Sequence, residues 1–164
     1  MRTKLIVLTA VSLAGLSATA YAATSMTSQF IVKMQISAQC LAATASELDF
    51  PTTGVLSTAV PATTTLTVQC TNLTPYNIGL DQGQNGSSVA ARQMKGISTA
   101  ALLNYNLFTD ASHSVVWGNT IGTDTVAATG NGAAQNYTVY GQVPPQTTPA
   151  PDTYTDKITI TVTY

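Results

Sequence analysis

Apolar and polar residues alternate with a period of two along much of this chain, in short runs divided by Gly, Pro, Asn and Asp. Successive side chains of a strand point to opposite faces, so each run predicts a half-buried β-strand. Phe30-Val32-Met34-Ile36 is the first run, ahead of Cys40, with mostly polar residues between and Ile31 the exception. Leu48-Asp49-Phe50 is a short piece ended by Pro51, and Thr64 to Cys70 places Leu66, Val68 and Cys70 on one face. Tyr76-Ile78-Leu80 follows Pro75 and stops at Asp81, where residues 81–88 have loop composition. Leu103-Tyr105-Leu107, Val115 to Trp117 and Tyr137-Val139-Gly141-Val143 follow, with residues 122–135 reading as a loop or weak edge. No stretch after the leader has a helical period. Six or seven short strands separated by turn signals predict an all-β protein, an antiparallel β-sandwich.

The last run is the cleanest. Ile158, Ile160, Val162 and Tyr164 alternate with Thr159, Thr161 and Thr163 after a stiff connection carrying Pro144, Pro145, Pro149 and Pro151. No run follows to pair with it, so one edge of this strand is expected to be open. Open edges template the pairing of other chains and are normally covered.

The leader changes the picture of where the chain acts. Arg2 and Lys4 precede an apolar stretch from Leu5 to Leu16, and Ala20-Tyr21-Ala22 is a small-x-small cleavage site, so residues 1–22 read as a secretory signal. The stretch is interrupted by Thr9, Ser12 and Ser17 and is short for a membrane span of about 20 apolar residues. Cleavage before Ala23 leaves 142 of the 164 residues, enough for one domain with a real core. An exported chain with a single pair of cysteines, Cys40 and Cys70, is expected to join them in a disulfide.

Charge is sparse: 8% of residues against a usual share of about 25%. After cleavage four basic residues face seven acidic ones, so the chain lacks the basic patch that nucleic acid needs. A surface so poor in charge suits packing against copies of itself.

Candidate chemistry is thin. Residues 110–114 hold Asp110, Ser112, His113 and Ser114, the residue types of a hydrolytic triad, but neighbours on one turn rarely reach triad geometry and there is no nucleophile elbow. Asp81, Gly83, Asn85 and Gly86 resemble a calcium loop loosely, yet Arg92 stands where the bidentate glutamate belongs. A lone histidine and no CxxC argue against a metal or redox role. No catalytic constellation, metal site or cofactor is expected, and Trp117 reads as core or rim packing.

The N-terminal run has two open readings: the first strand of the chain's own sandwich, or a strand given to another molecule. It follows a polar lead, residues 23–28, that gives it reach. A strand added to an open edge gains main-chain hydrogen bonds and side-chain specificity from alternate pockets. Burying four large apolar side chains is worth roughly 6–12 kcal/mol before ordering costs. A module built this way polymerises head to tail, a contact that does not close.

These features in their order resemble the spore coat protein U domain family, the pilin fold of archaic (Csu-type) chaperone–usher pili. The resemblance rests on the alternating segment FIVKMQIS before Cys40, Leu48-Asp49-Phe50, the strand from Leu66 to Cys70, and residues 103–110 (LNYNLFTD). It continues through Trp117-Gly118, residues 137–143 (YTVYGQV) and residues 152–156 (DTYTD) leading into the terminal ITITVTY. One departure stands out, Asp152-Thr153 in the turn before Tyr154, where a glycine is expected.

The resemblance implies an incomplete immunoglobulin-like sandwich (residues 37–164) lacking its last strand, with residues 23–36 as a donor segment. By carry-over Phe30, Val32, Met34 and Ile36 are donor residues, and Ile158, Ile160, Val162 and Tyr164 line the accepting edge. The implied partners are a periplasmic chaperone, an outer-membrane usher and other pilus subunits. The implied location is the cell surface, in a fibre for attachment and biofilm formation. The alternative is a standalone exported sandwich that binds a ligand or carbohydrate.

Overall fold

A computed structural model describes residues 21–41 and 43–164; the predicted signal segment, save its last two residues, lies outside them. The chain divides into two units, Met1–Met34 and Gln35–Tyr164. The described part of the first, residues 21–34, carries no regular secondary structure and is exposed throughout.

The second unit is all β among its described residues. Its strands are β1 Thr44–Ala45, β2 Val60–Gln69, β3 Pro75–Leu80, β4 Arg92–Gly96, β5 Leu102–Phe108, β6 Val126–Thr129, β7 Ala134–Val143, β8 Tyr154–Thr155 and β9 Ile160–Thr163. They form two antiparallel sheets, a six-stranded one ordered β1-β2-β7-β5-β4-β8 and a three-stranded one ordered β6-β3-β9. The backbone of the large sheet is the ten-residue ladder of β2 on β7, from Val60 opposite Val143 to Gln69 opposite Ala134.

The alternation read from the sequence becomes the core. Leu66 and Val68 of β2, Leu103, Tyr105 and Leu107 of β5, and Val139 and Val143 of β7 point inward from the large sheet. Tyr76, Ile78 and Leu80 of β3 meet them from the small one. Trp117 is buried between them and donates its indole N–H to the Ile78 carbonyl at 2.9 Å, so it is a core residue. Cys40 and Cys70 are joined in a disulfide that ties the start of the domain to the end of β2.

Several elements differ from the sequence reading, each for a physical reason. Strand β4 escaped notice because its inward positions are Arg92, Met94 and Gly96, a buried cation where a hydrophobe is expected. Strand β6 lies inside the stretch that reads as a loop, since Val126 and Ala128 present little apolar bulk to mark the face. Val115 to Trp117 contributes only a single bridge, Phe108 to Val116. Leu48-Asp49-Phe50 and the run from Phe30 to Ile36 are not strands, because neither has a ladder partner among the described residues.

Candidate functional site

Strand β9 joins the small sheet by one edge. Ile160 lies opposite Leu80 and Val162 opposite Ile78, and the far edge of β9 has no ladder partner among the described residues. Ile158, Ile160 and Val162 are half-buried against the core, while the threonines between them are exposed. Three strands are too few to cover the inner face of six. The remainder is an open cleft of about 890 Å³, floored by Leu66, Leu107 and Val139 and walled by Ile158 and Ile160.

Of the four residues expected on the accepting edge, Ile158 and Ile160 line the cleft. Val162, equally half-buried against the core, does not line the cleft. Tyr164 lies past the end of β9 and is 59% exposed. The four expected donor residues are exposed: Phe30 by 87%, Val32 by 83%, Met34 by 85% and Ile36 by 77%. Ile31 between them is 91% exposed, and residues 21–39 are exposed throughout.

The opposite wall is a strap over residues 46–56. Ser46 is held at one end, its N–H reaching the Thr65 carbonyl and its carbonyl accepting from Thr64 Oγ1. Leu56 is held at the other by Thr148 Oγ1 and by the Gln146 N–H. Between them residues 47–55 make no hydrogen bond to the described chain. Two side chains seat this span instead. A Cβ on Gly141 would lie 2.9 Å from both Leu48 methyls and 3.0 Å from Phe50 Cζ, and Phe50 meets the edge of Tyr105 with ring centroids 6.5 Å apart. Glycine in mid-strand marks close approach of another group, and the isolated Gly141 of YTVYGQV was the signal for this seat.

Two carboxylates hold the lead into β9. Asp81 Oδ1 accepts from the N–H groups of Thr159 at 2.9 Å and Gly83 at 3.0 Å. Burial works to raise this carboxyl, but those bonds and the nearby Arg92 charge outweigh it and hold the pKa below its ordinary value. Asp156 accepts from the Gln84 N–H, from Asn85 Nδ2 and from the Tyr105 hydroxyl at 2.7 Å. Burial first, and this bond second, push the Tyr105 hydroxyl well above its ordinary pKa. Gly83 has φ +78°, and a Cβ there would run into the Asp156 carboxylate. The loop that resembled a calcium site therefore clasps the lead into β9.

Arg92, fully buried, ties the sheets together behind the cleft. Its guanidinium donates to the carbonyls of Asp81, Val89, Leu80 and Trp117 and to Asn106 Oδ1. All five N–H groups are used, which is what permits burial of a cation. The roles of Arg92, Gly141 and the Leu48-Asp49-Phe50 strap are not legible in the sequence, because each acts through residues distant in the chain.

The other flagged residues have structural places. Asp110 accepts from the Ser112 hydroxyl, the N–H groups of Val115 and Ser114, and the Ser114 hydroxyl, which together hold its carboxyl far below the usual range. His113 packs edge-on to Phe108 and Tyr140, and its Nε2 makes no hydrogen bond to that cluster. Residues 110–114 are thus a carboxylate-centred turn, without triad geometry. Asp152 fills the place where a glycine was expected, accepting from the N–H groups of Ser98 and Thr99 and from Thr99 Oγ1. The Thr99 bonds lead in lowering its pKa to about 2.

Comparison with known proteins fits this architecture. Protein U of Myxococcus xanthus is 36% identical over 107 residues, covering 62% of this chain and 59% of that protein. The chain thus spans less than two thirds of that relative's length. Among solved structures, the CsuC–CsuE chaperone–tip adhesion subunit pre-assembly complex from archaic chaperone-usher Csu pili of Acinetobacter baumannii superposes with a TM-score of 0.58. Identity is 20%, over 77% of this chain and 40% of that one. The likeness is one of fold, an immunoglobulin-like antiparallel sandwich. A chaperone–tip adhesin complex of CFA/I fimbriae reaches a TM-score of only 0.37, at 17% identity over 72% of this chain and 38% of that one. The Spore Coat Protein U domain matches residues 26–161, and the chain belongs to that family.

Proposed function

We propose that this chain is a structural subunit of a surface fibre of the chaperone–usher type, polymerised when the segment from Phe30 to Ile36 of one copy enters the cleft of the next. The observation that carries this reading is that β9 has a half-buried edge with no ladder partner among the described residues, while the exposed segment from Phe30 to Ile36 carries four large hydrophobes at the same spacing. Each is seven residues long, Phe30–Ile36 and Ile158–Tyr164, about 23 Å when extended. Insertion would move four large side chains from water into an apolar cleft, worth roughly 6–12 kcal/mol before ordering costs. Each ladder hydrogen bond adds about 0.5–1.5 kcal/mol.

Export through the periplasm, delivery by a chaperone that covers the cleft, and assembly at an outer-membrane usher belong to the same reading. The fold shared with a Csu chaperone–subunit complex supports them, as does membership of the Spore Coat Protein U domain family. Adhesion and biofilm formation are the roles such a fibre serves. No part of the reading calls for catalysis.

The test is a full chain with Val32→Asp and Met34→Asp. Polymers of the wild-type chain should form denaturant-resistant ladders, and the variant should accumulate as an oxidised, folded monomer. Ladders of normal length from the variant would overturn the proposal. Both chains are co-expressed with the chaperone that covers the cleft, so a variant that still fails to fold would make the segment part of its own core, the arrangement that the alternative of a standalone binding sandwich requires.

A further inference from the structure

The cleft is apolar within and charged at its rim. In a chain with seven carboxylates, four of them, Glu47, Asp49, Asp152 and Asp156, line this one cleft, with Lys157 beside Asp156 as its cation. Asp152 and Asp156 are committed, each bonded to N–H or hydroxyl groups of the domain. Glu47 and Asp49 are not: both are exposed, and neither has a hydrogen-bond partner among the described residues.

Their position follows from the strap. Leu48 and Phe50 are half-buried over Gly141, so the alternating residues Glu47 and Asp49 stand on the solvent side. The proposed donor has the same pattern with opposite sign. Lys33 lies between Val32 and Met34, and residues 23–36 hold no other charged side chain. A donor that turns Val32 and Met34 into the cleft must turn Lys33 outward, onto the face where the strap carries its free carboxylates.

We infer that Glu47 and Asp49 form a charge-reading wall that recognises Lys33 of the incoming copy, steering the segment into the cleft and favouring one register. This rests on the donor-strand reading above and adds a specificity determinant to it. Opposite charges paired across neighbouring strands stabilise and like charges destabilise. A one-residue slip turns Lys33 into the apolar cleft, so burial rejects that register while the pair rewards the correct one. The steering component must weaken with salt, because the screening length falls from about 30 Å at 0.01 M to about 3 Å at 1 M.

The experiment uses the full chain carrying Val32→Asp and Met34→Asp as host, so that its own segment does not compete, and a labelled peptide of residues 29–37 as probe. Uptake is followed by anisotropy at low and high salt. At low salt the peptide with Lys33→Glu should enter about 1.5- to 5-fold more slowly, or bind that much more weakly, than the wild-type peptide, the size of effect a single exposed charge pair gives. The gap should close at high salt. A host with Glu47→Lys and Asp49→Lys should reverse the preference, with the buried Trp117 reporting that this host remains folded. If the wild-type peptide enters but both hosts treat the two peptides alike, the charge-reading wall is overturned and the donor-strand reading stands. If no peptide enters, the donor-strand reading fails and this inference falls with it.

Discussion

Gly141→Ala tests the seat of the strap directly. The added methyl would sit 2.9 Å from two Leu48 carbons and 3.0 Å from Phe50 Cζ, closer than carbons approach without something moving. Two responses are open to the fold. If the strap stays, overpacking of this kind costs about 1–3 kcal/mol. If the strap lifts, which nothing in its backbone resists over residues 47–55, Leu48 and Phe50 lose their partial burial. Full burial of such side chains is worth about 1.5–3 kcal/mol each, so half-burial of the two gives a similar total. Both routes bound the loss to about 1–3 kcal/mol, a midpoint shift of roughly 1 M urea for a domain of this size. The assay is urea unfolding followed by the fluorescence of Trp117, which is buried and is the chain's single tryptophan. The decisive control is the same glycine substitution in a Leu48→Ala, Phe50→Ala background, where the methyl meets no obstacle and the cost should shrink to near zero. An equal cost in both backgrounds would show that Leu48 and Phe50 do not rest on Gly141.

Three further outcomes follow from the geometry. Replacing Cys40 and Cys70 by Ser removes a cross-link with a sequence separation of 30 and should lower stability by about 3–4 kcal/mol on the chain-entropy model, measured by denaturation with and without reductant. Arg92→Met leaves the Leu80 and Trp117 carbonyls buried without their donors; a loss of about 3 kcal/mol or more is expected, and a fully stable Arg92→Met chain would refute the stapling role. Asp152, with its carboxyl lowered to about 2, stabilises the fold above the ordinary carboxylate pKa near 4, an effect lost progressively as pH falls from about 4 through 2. Carboxyl NMR should show that midpoint, and Asp152→Asn should remove this part of the acid slope.

The long strands were legible because their inward residues are hydrophobic at a period of two. Leu66-Val68, Ile78-Leu80, Leu103-Tyr105-Leu107 and Val139-Val143 all occupy the core as their alternation predicts. Strand β4 was hidden by Arg92, whose burial depends on four carbonyls and an amide supplied from residues 80–117. The Leu48-Asp49-Phe50 motif was visible as a pattern, but not as a strap, because its partner is one glycine more than ninety residues away.

By itself the sequence determined the all-β class, the inward face of each long strand, the cysteine pair and the alternation at both ends, since all of these depend on local periodicity and composition. Tertiary structure alone decided that three strands lie over six, that the uncovered remainder is a cleft, and that β9 borders it with an edge unpaired among the described residues. It also placed the carboxylates of the strap at that cleft. Such facts depend on which distant segments share a sheet, a choice made by the summed burial and hydrogen bonding of the whole domain and written in no single stretch of chain.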